Sequence, residues 1–295
     1  MPRTSRSVIT LAEEQPRTRR QRWSLRVLVA SLVVVVAVAA YAGGRTLVDN
    51  VGSQRCQATA LQQSVTFDPE QMSNAATIVA VAERRGLPAR AATIALATAL
   101  TESKLRNLRY GDRDSLGLFQ QRPSQGWGTA AQILDPDHAA NAFYDALVKI
   151  KDYQTKDITA VAQAVQRSAY PEAYAKHEVE GRVLASTLAG YSPGGLGCRL
   201  DASTHGADPR TLSDLLTAEL GVGSSHVGTT LVVRADSTRQ AWAVGEWAVA
   251  KAGDTDIHAV TVGARVWTRA AGRQGWSWTA ADDPQPATTV VIHLS

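Results

Sequence analysis

The sequence predicts a mainly α-helical domain, one N-terminal transmembrane helix ahead of it, and a small α+β domain at the C-terminal end. Three observations carry this reading. A basic opening segment runs into a charge-free apolar stretch, residues 68–198 show helical periodicity, and residues 208–295 mix strand-like runs with one amphipathic helix. A chain of 295 residues has room for one large domain or two ordinary ones plus an anchor. With 44% hydrophobic and 20% charged residues it has a globular composition.

Residues 1–26 form a basic segment with seven arginines (Arg3, Arg6, Arg17, Arg19, Arg20, Arg22, Arg26) against Glu13 and Glu14, a local charge of +5. The whole chain is +4, so the remaining residues are close to neutral and slightly acidic. A pI of 9.2 therefore does not make the folded part basic, and no nucleic-acid partner is expected. Residues 27–42 carry no charge and are extended by Gly43 and Gly44. At full helical rise residues 27–44 cover roughly 27 Å, close to a bilayer core. Arginines ahead of the span predict a cytoplasmic N-terminus, a single-pass cell-membrane location and extracytoplasmic C-terminal domains. The competing reading is a cleaved signal peptide, since Ala40-Tyr41-Ala42 fits a small-x-small site.

Residues 45–67 read as a stalk with some helix. Cys56 and Cys198, the two cysteines of the chain, bracket the next block, and in an exported protein such a pair predicts a disulfide rather than free thiols. Asp68-Pro69-Glu70 is a cap followed by proline at the first helical position, and this helix ends at Gly86. Leu87-Pro88 opens a second helix with Ile94, Leu96, Leu100 and Leu105 at roughly helical spacing. Residues 109–129 are rich in glycine and proline and predict a long ordered loop or short hairpin. Further helices are expected over 138–148, 158–168 and 171–188. Residues 199–207 link to the C-terminal domain. There, strands are expected at 229–233, 258–262 and 288–294, and helices at 208–220 and 237–252.

Glu102 is a lone acid in the Ala- and Leu-rich second helix. It shares a face with Ala95, Thr98, Ala99 and Leu105, whose small or apolar side chains leave a hollow. An apolar hollow raises a carboxyl pKa, and a protonated acid near neutral pH is what a glycosidic leaving oxygen requires. The plainer reading is a solvent-edge glutamate pairing with Lys104 or Arg106.

Ala99-Leu100-Thr101-Glu102-Ser103, then Ser115-Leu116-Gly117-Leu118-Phe119-Gln120 and Pro123, resembles the lytic transglycosylase and goose-type lysozyme-like superfamily. That family carries a catalytic Glu-Ser on a helix, then a Gly-Leu-Met-Gln-type turn. Ser168-Ala169-Tyr170 is similar to its later Ala-Tyr-Asn segment, although Pro171 stands where asparagine is usual and Phe119 where methionine is. Over residues 68–198 the resemblance implies a lysozyme-like domain. It implies Glu102 as general acid and base, with Ser103, Gln120, Tyr170 and Asp114 lining a site for peptidoglycan glycan strands. No cofactor is implied.

Two outcomes stay open. If Asp112 or Asp114 faces Glu102 across room for a water, inverting hydrolysis is available. If neither does, the resemblance implies a transglycosylase that closes a 1,6-anhydro product. Trp127 and Tyr110 in the same loop are candidates for stacking on sugar faces.

In the C-terminal domain, Ser224-Ser225-His226 and the late Val291-Ile292-His293 weakly resemble a degenerate D-Ala-D-Ala carboxypeptidase-like fold. Such a zinc site needs three protein ligands, and Val233 stands where its aspartate is required, so no metal is expected. The preferred reading is a membrane-anchored peptidoglycan-cleaving glycosidase. The alternative is a non-catalytic lysozyme-like scaffold that binds peptidoglycan or a cell-envelope partner.

Overall fold

The computed structural model describes residues 31–39, 54–166, 174–203, 206 and 208–295. Residues 31–39 are helical and belong to a unit of their own, Met1–Val51. Gly52–Ser295 pack as a second compact unit.

The predicted fold class needs two corrections. Among the described residues no helix is long and apolar enough to cross a membrane. The expected anchor rested on a count of uncharged residues, which measures hydropathy and not the length of the helix that forms. The transmembrane anchor, and with it the single-pass membrane location, is overturned. The basic segment 1–26 and the remainder of the 27–44 stretch lie outside the described residues.

The second correction concerns sheet. The described residues are about 46% helical and 18% strand, with two sheets, and are not mainly α. Part of the expected stalk is a hairpin, β1 (Arg55–Ala60) and β2 (Gln63–Phe67), and β3 (Leu196–Arg199) pairs with β1 on its other side. In β1 the residues Cys56, Ala58 and Ala60 point inward, a period-two pattern made of small side chains. The hairpin turn is Leu61-Gln62, with φ of 53° and 61°. Both residues are left-handed, as a two-residue hairpin turn requires, but without the Asn-Gly signature that reveals such turns in sequence. Cys56 and Cys198 are register partners on β1 and β3 and form a disulfide.

Above this sheet lie α1 (Pro69–Arg84), α2 (Ala89–Ser103), α3 (Ala130–Ile133), α4 (Pro136–Leu147), α5 (Ile158–Gln166) and α6 (Glu178–Leu188). Helix α2 is buried along most of its length, and its alanines let α6 approach closely. A Cβ at Gly181 would sit 2.8 Å from Thr93 O, so only glycine admits that contact.

The C-terminal segment contributes α7 (Pro209–Leu220), α8 (Thr238–Lys251) and a six-stranded antiparallel sheet. Its strands are β4 (Ser225–Val227), β5 (Thr230–Arg234), β6 (Ile257–Val262), β7 (Arg265–Thr268), β8 (Thr279–Ala280) and β9 (Thr289–Leu294), in the order β4-β5-β9-β6-β7-β8. Helix α8 packs on α1 and on β6, and the core is continuous across these elements. Polar groups at this junction are satisfied by one another. Lys251 Nζ donates to Glu219 Oε1 (2.8 Å) and Thr77 Oγ1 (2.6 Å), and Trp247 Nε1 donates to Glu219 Oε2 (2.7 Å). A buried ion pair with every oxygen occupied avoids the penalty of an uncompensated charge.

Candidate active site around Glu102

Glu102 is the penultimate residue of α2. Its predicted face-mates Ala95, Thr98, Ala99 and Leu105 have no exposed surface, so the carboxyl stem leaves a dry wall. The helix ends abruptly behind it. Lys104 (φ 56°) and Leu105 (φ 60°) are consecutive left-handed residues, neither of them glycine. Strain of about 1 kcal/mol or more per residue persists only where the surroundings fix it. Here α1 fixes it: Gln71 Nε2 donates to Lys104 O at 2.7 Å and Asn74 Nδ2 to Leu105 O at 2.8 Å.

The Gly-Leu-Phe-Gln turn is tied to the same helix end. Ser103 Oγ donates to Leu118 O at 2.7 Å and lies 3.1 Å from Ala99 O. Leu118 and Phe119 are fully buried, and the Phe119 ring stacks on Phe143 with centroids 4.6 Å apart. Gly117 (φ 74°) is required at this bend, because a Cβ there would meet Ile133 O at 2.6 Å. Ser103 is thus a positioning residue, buried between helix and turn.

Two side chains act on the acid. Tyr174, itself buried, donates its phenol O–H to Glu102 Oε1 at 2.7 Å. Gln166, at the end of α5, donates Nε2 to Phe119 O at 2.7 Å, and its amide also helps to lower the Glu102 pKa. Burial raises the Glu102 pKa above the ordinary carboxylate value and outweighs both side chains, which pull it down. The arrangement is a half-dry carboxyl held in a fixed orientation, suited to giving up and recovering a proton.

The other sequence candidates fall differently. Asp114 Oδ1 accepts Arg122 Nε at 2.8 Å and Oδ2 accepts Ser124 N at 2.8 Å. Those contacts hold its carboxyl well below the usual range and leave neither oxygen uncommitted to orient a water. Asp112 is exposed, and Gln120 (φ 48°) turns its amide onto Gly117 O (3.2 Å) and Tyr110 O (3.4 Å). Tyr110 is 73% exposed, whereas Trp127 is partly buried against the core. Tyr170 and Pro171 lie outside the described residues.

Sequence reasoning missed Tyr174 and Gln166. Tyr174 was findable, since the Ala-Tyr pair of Ala169-Tyr170 repeats four residues on as Ala173-Tyr174. Gln166 had no local signal, because its role arises only where the end of α5 meets the Phe119 turn.

In the C-terminal sheet His293 Nδ1 is 3.1 Å from Thr230 Oγ1, and His226 lies on β4, with β5 between it and β9. Among the described residues no three His, Cys, Asp or Glu side chains gather in a metal-binding group. No family model matches the sequence, and no curated protein is similar to it.

Proposed function

We propose that this protein is a peptidoglycan-cleaving glycosidase that uses Glu102 as general acid and base. One observation carries the reading: a partly buried carboxyl with a raised pKa, hydrogen-bonded by Tyr174 at the end of the Glu-Ser helix. The protonated acid gives its proton to the leaving glycosidic oxygen. As the carboxylate forms, the Tyr174 O–H already points at it, so no reorganisation is needed there. With Asp114 committed to Arg122 and Ser124, a paired-carboxylate hydrolysis has lost its better base. The chemistry favoured is the one in which the sugar's own hydroxyl attacks the anomeric carbon, Glu102 recovers its proton from that hydroxyl, and a 1,6-anhydro end results.

A second reading, a non-catalytic scaffold that binds peptidoglycan or an envelope partner, has one observation in its favour. Pro171 stands where the resemblance calls for asparagine, so an amide that would contact sugar is missing. Mass spectrometry of purified peptidoglycan treated with the full chain and with Glu102→Gln separates the two. Anhydro-muropeptides from the wild type alone support the transglycosylase, and reducing-end products indicate hydrolysis. Binding to sacculi without soluble fragments supports the scaffold.

A further inference from the structure

A cavity of about 310 Å³ opens beside the candidate acid, lined by Gln125, Trp127, Lys149, Ile150, Val165 and Gln166 among others. Gln166 lines it and donates to Phe119 O, in the turn that Ser103 ties to the end of the Glu102 helix. The volume is at the small end of ligand pockets and suits a single sugar ring. Trp127 is held in place by the left-handed glycines on either side of it, Gly126 (φ 82°) and Gly128 (φ 123°). A Cβ at Gly128 would press on His138 Nε2 at 3.0 Å. The Trp127 indole supplies an apolar part of the lining, beside the amide-bearing side chains of Gln125 and Gln166.

The lining carries one charge among the described residues, the exposed Lys149, and no acid faces it there. Asp145, one turn upstream, is already paired with Arg85 at 2.7 Å. An ammonium at the mouth of an otherwise neutral, aromatic-walled cavity selects for a ligand carrying a negative group.

We propose that this cavity is a sugar subsite that reads a carboxylate on the glycan, with Trp127 as its stacking wall and Lys149 as its specificity-determining residue. The inference rests on the glycosidase reading and adds which glycan is preferred. On a muramyl glycan the carboxylate comes either from a free lactyl ether or from the peptide attached to it, and the two sources are separable.

The test is calorimetric titration of the full chain carrying Glu102→Gln, which binds without turnover, with three β-1,4 glycans of equal length. One is a neutral chitin oligosaccharide, one a peptide-free muramyl glycan with free lactyl carboxylates, and one a peptide-bearing glycan whose lactyl carboxyl is an amide. At least one carboxylate-bearing glycan is expected to bind roughly tenfold more tightly than chitin. Which one does so names the source. Adding Lys149→Met should erase that preference, while Lys149→Arg should keep it, and rising salt should narrow it. Equal affinity for all three glycans, or a preference that survives Lys149→Met, overturns the inference and leaves the glycosidase reading standing. If none binds and the wild type cleaves none, both fall together.

Discussion

The phenol of Tyr174 donates to Glu102 Oε1 at 2.7 Å, across 72 residues of sequence and from a nearly fully buried position. Because this bond lowers the acid's pKa, its loss must raise it. Tyr174→Phe is expected to move the alkaline limb of the pH–rate profile upward and to lower kcat about tenfold. Folding stability should fall by only about 1 kcal/mol, one net hydrogen bond. A rate loss with an unmoved pH limb would show that the tyrosine does not act through the acid.

Glu102→Gln should reduce glycan cleavage by about 10²–10⁴-fold, the usual contribution of a positioned general acid. It should leave the fold intact, since the amide keeps the shape and the Tyr174 contact. Near-wild-type turnover with an unchanged circular dichroism spectrum would remove Glu102 from the mechanism.

Glu246 is fully buried on α8, and its folded pKa is raised well above the ordinary value by burial, against the opposing pull of backbone N–H groups at Gly195 and Gly194. Its Oε1 accepts Gly195 N at 3.0 Å, while Oε2 has no hydrogen-bond partner among the described residues. An acid of this kind binds a proton more tightly when folded, so its stabilising effect is complete below pH ~4.5 and declines as pH rises toward the folded pKa. Urea unfolding at pH 5 and pH 8 should show a lower midpoint at pH 8, and Glu246→Gln should flatten that difference. A wild-type midpoint that rises with pH would contradict the burial argument.

Removing the disulfide with Cys56→Ala and Cys198→Ala should cost about 5 kcal/mol if chain entropy dominates, because the bond spans 142 residues. Thermal unfolding in the presence and absence of reductant measures it. A change below about 1 kcal/mol would mean that the β1–β3 pairing holds the loop closed without help.

The legible part of this fold was the part with strong local signals. Asp68-Pro69 announced α1, and the helix expected over 138–148 corresponds to α4. Glu102 stood out as one acid in a dry run, and its four face-mates are indeed all buried. The first sheet was illegible because β1 is made of small residues and turns through Leu61-Gln62, which carry no turn signature. Its partner β3 comes from the far end of the helical block, a pairing that no local window contains. At the site, Gln166 and the Gln71/Asn74 clamp depend on contacts between distant helices and could not be read one segment at a time.

The Cys56–Cys198 bond joins the first strand to the third, and α1 to α6, with the whole neighbourhood of Glu102, hang between them. That stretch is therefore a covalent ring and not an open string. A protease that cuts once anywhere inside it opens the ring without releasing a piece. The nicked protein would migrate as a single band until reductant is added, with both halves of the site still tethered.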